Sequence, residues 1–236
     1  MGIKGNPAAR IWLFDFDNTL AALEREVDWA ASRRRLEAFL RAEGIAGSVF
    51  DEFPSRNLPL YNALLTRLFH DSEHGAKLMR QASAIIESYE LRGVERALPL
   101  PGSIELLLEL HSRAKHISIV TSNSSLTVTR WLELHGVAPA VGAIIGRDSM
   151  LPLKPSPAMI LRAIELGNGS ASEAVFVGDS DADLNAALKT EVAFFGVAAD
   201  LDARNRLTSL GARDVFCSPR DLKRHLSASQ SLAKPG

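Results

Sequence analysis

The chain has little of what would hold or place a protein by covalent links or bulk charge. It contains one cysteine, Cys217, in 236 residues, so no intramolecular disulfide can form. No apolar run approaches the ~20 residues a membrane-crossing helix needs, so a soluble protein with no membrane partner is expected. The N-terminus, "MGIKGNPAAR", lacks the apolar stretch of a secretory signal. With the lone thiol, that makes a reducing cytoplasm the expected location. No charge dominates either: 27 Lys and Arg nearly cancel 28 Asp and Glu, leaving a formal charge of -1. Nothing in that balance attracts nucleic acid or an anionic membrane, so any charge-based recognition must be local. The sequons at Asn123 and Asn168 are then chance matches. There is no internal repeat or low-complexity block, and nothing fixes an oligomeric state.

What is present is a chain 46% hydrophobic, enough at this length for a sizeable core. Short apolar segments recur: "IWLF" (11–14), "ISIV" (117–120), "AIIG" (143–146), "AVFVG" (174–178) and "VAFFG" (192–196). Each reads as a strand buried on both faces. Between them "SSLTVTRWLELHG" (124–136), "SPAMILRAIELG" (156–167) and "DADLNAALK" (181–189) have helical spacing, the first two ending in glycine. The alternation predicts an α/β fold, a parallel sheet with helices on both faces. Residues 22–98 interrupt it with helical segments only: "VDWAASRRRLEAFLRAEG" (27–44), "LYNALLTRLFH" (60–70) and "HGAKLMRQASAIIESYE" (74–90). The expected organisation is therefore an α/β core of residues 1–21 and 99–226 and an all-helical insert of 22–98. Residues 227–236 are small and polar and are expected to fray.

Ligands of parallel α/β sheets bind at the carboxyl ends of the strands, and four such ends are polar here. "IWLF" is followed by Asp15, Asp17 and Thr19, and "ISIV" by Thr121, Ser122 and Asn123. Beyond "AIIG" comes Lys154, just before Pro155, and "AVFVG" runs into Asp179, Asp181 and Asp183. Any one aspartate at such a place serves equally well as a turn former or helix N-cap; four polar ends together point to chemistry. Several ionised carboxylates at one sheet edge repel one another unless a cation neutralises them. Oxygen donors with no Cys or His nearby suit Mg²⁺ rather than zinc. A lysine in that cluster makes sense if the ligand brings further negative charge, as a phosphoryl group does. A calcium loop is excluded, because the sixth position from Asp179 is Leu184 rather than Gly and the twelfth is Thr190 rather than Glu.

These residues resemble the haloacid dehalogenase superfamily, whose four motifs stand here in order: "DFDNTLA" (15–21), "VTSN" (120–123), "LKP" (153–155) and "GDSDAD" (178–183). The first and last are specific; the resemblance covers nearly the whole chain. It implies a Rossmann-like core, with the insert acting as a C1-type cap like that of phosphoglycolate-phosphatase-like members. It also implies a Mg²⁺-dependent phosphatase acting on a small soluble phosphorylated metabolite through an aspartyl-phosphate. In that reading Asp15 is the nucleophile and Asp17 the general acid and then base. Ser122 bonds a phosphoryl oxygen, Thr19 and Asn123 contact substrate, the latter through its backbone amide, and Lys154 holds nucleophile and phosphate together. Mg²⁺ would sit on Asp15, the Asp17 carbonyl and Asp179, with Asp183 in the first or second shell. An acid at Asp17 favours phosphoryl transfer over dehalogenation, since a departing halide needs no proton. A sugar phosphomutase with the same motifs and a non-catalytic binding module are the alternatives.

Within the insert, Arg56 in "FPSRNLP" is the candidate substrate contact, because a loop between helices can reach the site. The Arg33, Arg34, Arg35 run is expected to face solvent, since consecutive helical residues point about 100° apart. Hinges are expected near residues 21–25 and 98–102. His70, His74, His111, His116 and His135 show no metal spacing. Trp12 and Trp131 read as core, Trp29 as core or a wall facing substrate, and Cys217 as a small buried hydrophobe.

Overall fold

A computed structural model of the chain describes residues 2–67 and 72–231. Its sheet has six strands, all parallel, in the order β3-β2-β1-β4-β5-β6. Strands β1 (Ile11–Phe14), β2 (His116–Val120), β3 (Ala143–Ile145), β4 (Ala174–Gly178) and β5 (Ala193–Val197) match the expected ones to within a residue. β6 (Val215–Phe216) was not expected. It is a two-residue, half-buried edge strand with no apolar run to signal it.

Both faces of the sheet are covered, as the unbroken apolar runs require. Ile11 and Leu13 of β1 point into one core and Trp12 and Phe14 into the other, the period-two alternation of a strand. The first core is closed by α7 (Ala158–Leu166) and α8 (Asp181–Thr190), through Met159, Ile160 and Leu184. The second is closed by α5 (Ser103–Ser112), α6 (Ser125–Leu134) and α10 (Pro219–Ser231), through Leu106, Trp131 and Leu222. A ninth helix, α9 (Leu201–Ser209), joins β5 to β6. α10 continues in helix to Ser231, past residue 227 where fraying was expected. Residues 232–236 lie outside the described residues.

Between β1 and β2 the chain runs through α1 (Trp29–Ala42), α2 (Gly47–Asp51), α3 (Asn57–Arg67), α4 (Glu73–Val94) and then α5. Asp28 and Ser72 cap α1 and α4 by accepting the N–H groups of Ala31 and Gly75. Leu36, Leu40, Leu60, Leu64, Leu78 and Ile86 form the buried face of this insert. The expected helix end at His70 lies outside the described residues. The entry and exit segments run antiparallel where hinges were expected, Ala22 N–H donating to Leu98 C=O and Leu100 N–H to Leu20 C=O.

Two expectations are corrected. Arg34 and Arg35 are exposed, but Arg33 is buried. Its guanidinium, a rigid fork of donors, meets Glu37 at 2.5 Å and the carbonyls of Arg56 at 3.0 Å and Phe50 at 3.3 Å. Arg33 thus braces the loop that carries Arg56. Cys217 is exposed rather than buried, because the chain leaves the sheet edge there. No helix among the described residues is long and apolar enough to cross a membrane.

Trp131 ties α6 to the chain leaving the insert. It is fully buried, sits edge-on to Phe16 at 5.4 Å and donates its indole N–H to Ala97 C=O at 2.9 Å. Trp131→Ala should therefore cost about 3–5 kcal/mol in urea unfolding; a loss below about 1 kcal/mol would mean that the site collapses without a cavity.

Candidate active site

The sheet order puts β1 between β2 and β4, so the segments that follow these three strands converge at one edge. Asp15 continues the ladder, its N–H donating to Val177 C=O at 2.9 Å. Asp179 follows Gly178, the last residue of β4. A side chain on Gly178 would collide with Asp183, its Cβ falling 2.6 Å from that of Asp183, so only glycine lets the strand end approach the start of α8.

Lys154 is the centre of the cluster. Its Nζ lies 2.5 Å from Asp15 Oδ1 and 2.6 Å from Asp183 Oδ1, and 5.3 Å from the centre of the Phe176 ring. Burial works against the ammonium, but Asp15 and Asp183 outweigh it and hold the Lys154 pKa above its ordinary value. The other oxygen of Asp183 accepts the Ser180 N–H at 3.0 Å and hydroxyl at 2.6 Å, capping α8. Asp15, Asp179 and Asp183 each offer a carboxylate oxygen, all within 4.8 Å of one another.

The aspartates differ in environment. Burial lifts the Asp15 pKa to about 6 against the opposing pull of Lys154. Burial lifts Asp17 further, to about 7, although its Oδ1 accepts the N–H groups of Leu23 and Glu24, both at 2.9 Å; the negative charges of Asp15 and Glu24 add to the rise. Asp179 is pushed well above its ordinary value by burial, then by Asp183 and Asp15. These carboxyls need a proton or a cation, and an all-oxygen set of this charge fits Mg²⁺.

Other expected residues fall in varied places. Thr19, expected to contact substrate, has no exposed surface; its hydroxyl donates to Asp179 Oδ1 at 3.2 Å, so it orients that carboxylate instead. Asn123 is buried: its side chain is held by Thr121 and Glu90, and its N–H donates to the Thr121 hydroxyl at 3.1 Å. The backbone amide expected to meet substrate is thus already engaged. Ser122 is half-buried, and neither its hydroxyl nor its N–H makes a hydrogen bond among the described residues. Thr121, Ser122, Asp15, Asp17 and Lys154 all line one cavity of about 860 Å³. Arg56 and Trp29 form part of its wall from the insert, and the Arg56 side chain is exposed.

Residues 12–197 match the family described as haloacid dehalogenase-like hydrolase. The chain belongs to that family. Among curated relatives, it is 32% identical over 136 residues to the phosphoglycolate phosphatase of Vibrio cholerae serotype O1, covering 57% of this chain and 60% of that protein. To the phosphoglycolate phosphatase of Pseudomonas fluorescens it is 27% identical over 184 residues, covering 75% of this chain and 65% of that one. The aligned region thus spans less than two thirds of the length of either relative. A hydrolase from Pseudomonas syringae superposes with a TM-score of 0.62 at 24% identity, covering 92% of this chain and 98% of the other. A haloacid dehalogenase-like family protein from Streptococcus pneumoniae gives 0.60 at 19%, covering 93% and 99%. At such identities these two structures establish the shared fold.

Raised carboxyl pKa values have a sign that can be tested. With folded-state pKa values near 6 and 7, Asp15 and Asp17 hold protons in the folded chain that they release in the unfolded one. Their contribution to stability is therefore present below about pH 4 and lost as the pH rises through about 6 to 7. Metal-free protein should become less stable across that window, and Mg²⁺, which competes with those protons, should raise Tm more at about pH 8 than at about pH 5. A Mg²⁺ increment independent of pH would contradict the site.

Proposed function

We propose that this haloacid dehalogenase-like hydrolase is a Mg²⁺-dependent phosphatase that hydrolyses a small soluble phosphomonoester through an aspartyl-phosphate. The observation that carries the reading is the pair Asp15 and Asp17, two carboxyls in one cavity, both raised by desolvation but with different partners. Asp15 lies against the Lys154 ammonium, which favours the ionised form a nucleophile needs. Asp17 is half-buried, has no cationic partner among the described residues, and is pushed up to about 7, which suits an acid that must carry a proton near neutral pH.

In the first step an Asp15 oxygen attacks phosphorus, the bond to the leaving oxygen breaks, and Asp17 gives that oxygen its proton. In the second, water attacks phosphorus and gives a proton to Asp17; the bond to Asp15 breaks, restoring both carboxyls. Lys154 and the Ser122 hydroxyl hold phosphoryl oxygens in line. Mg²⁺, held by Asp15, Asp179 and the Asp17 carbonyl with Asp183 beside them, would supply charge neutralisation at the phosphoryl group. Phosphoglycolate phosphatases among the curated relatives support a small metabolite as substrate. So does a cavity of about 860 Å³, within the usual ~300–1,000 Å³ of small-molecule sites. Arg56 would meet the part of the substrate remote from the phosphoryl group, and the cytoplasm is its proposed location.

The protein should release phosphate from a generic aryl phosphate in Mg²⁺. Asp17→Asn should lower kcat by about 10²–10⁴-fold; unchanged activity would remove Asp17 as the acid. Arg56→Ala should raise KM for the native metabolite by about tenfold or more, as a hydrogen bond to a charged group is worth ~1.5–3 kcal/mol, with modest change on the aryl phosphate. Equal loss on both would point to a folding defect.

A further inference from the structure

One buried ion pair lies outside the chemistry just described yet touches its edge. Glu90 of α4 and Arg147, in the turn after β3, have fully buried side chains. They meet as a bidentate fork, Nη1 to Oε1 at 2.8 Å and Nη2 to Oε2 at 3.0 Å. Much of their remaining capacity goes to the loop after β2. Glu90 accepts the Asn123 side-chain amide at 3.0 Å and the Ser124 N–H at 3.1 Å. Arg147 donates from Nη1 to the Ser122 carbonyl and from its backbone N–H to the Asn123 carbonyl, both at 2.8 Å. On the other side its Nε donates to the Ser83 hydroxyl of α4 at 3.1 Å. Three consecutive loop residues, 122 to 124, are thus held by one ion pair, half of which belongs to the inserted helices.

We propose that Glu90 and Arg147 are positioning residues: they fix the loop so that the Ser122 hydroxyl and amide are left for a phosphoryl group, and they make that geometry depend on how α4 is seated. This rests on the phosphatase reading, which gives the loop its task. Stability alone is a poor account of the pair, because desolvation offsets much of a buried ion pair's attraction and apolar side chains would hold α4 as well. What a bidentate pair adds is orientation. Its partners are the backbone and amide groups that would otherwise be free to turn.

The test uses the full chain carrying Glu90→Gln or Arg147→Lys. It measures Tm, kcat and KM for an aryl phosphate, the inhibition constant of inorganic phosphate, and the Mg²⁺ concentration for half-activation. KM and the phosphate inhibition constant should rise together by about tenfold, as loss of a hydrogen bond to a charged group implies, while Mg²⁺ half-activation stays at the wild-type value. A lower Tm with wild-type KM and phosphate inhibition, measured well below that Tm, would overturn the proposal and leave the pair merely structural. Should neither variant fold, Ser83→Ala loosens Arg147 and leaves the pair; phosphate inhibition weakened about twofold supports the proposal and unchanged inhibition overturns it. If the wild-type protein hydrolyses no phosphomonoester, the phosphatase reading fails by itself. Calorimetric titration of the same proteins with inorganic phosphate still decides whether the pair shapes an anion site.

Discussion

The site depends on one ammonium group standing between carboxylates. Asp15, Asp179 and Asp183 bring oxygens within 4.8 Å of one another in a largely buried setting. At an effective dielectric of about 20, each such pair of full charges repels by at least about 3.5 kcal/mol, so full ionisation of the cluster calls for a counterion. Lys154 supplies one charge, to Asp15 and Asp183. What is left falls on Asp179, the carboxyl pushed well above its ordinary range, and there a divalent cation would act. The sheet exists to make this possible: only a central β1 flanked by β2 and β4 brings chain segments more than a hundred residues apart to one edge.

The same fold separates two aspartates that the sequence writes alike. Asp15 extends β1 into contact with Lys154, whereas Asp17 turns to accept the amides of Leu23 and Glu24, where the chain leaves for the insert. Desolvation raises both carboxyls; the two amides leave Asp17 at about 7, while the Lys154 ammonium pulls Asp15 back to about 6. The two carboxyls differ in their partners.

The strands and the helical insert were legible because each buried run is unbroken and each helix carries a long apolar face. β6 was not, since two half-buried residues at an edge leave no pattern. That Asp15, Asp17, Lys154 and Asp179 would come together in one cavity was legible, because strand ends face a common edge. Thr19 and Asn123 could not be placed, because a polar residue beside a site either faces the ligand or braces a neighbour, and only the packing decides. Arg33 misled for the same reason: its neighbours are exposed, and nothing in "RRR" says which arginine turns inward. Glu90 and Arg147 gave no signal at all, being ordinary charges in a helix and a turn until the fold buries them together.

The insert is therefore more than a cover. Arg56 and Trp29 wall the cavity from one side while Glu90 reaches under the loop on the other. All of this presupposes that Asp15 is the group that takes the phosphoryl from the substrate. The most direct measurement is mass spectrometry of the protein quenched in acid while it turns over a phosphomonoester in Mg²⁺. The account predicts a phosphoryl group on the peptide containing Asp15, absent together with phosphate release in Asp15→Asn. Undiminished phosphate release by Asp15→Asn would contradict it.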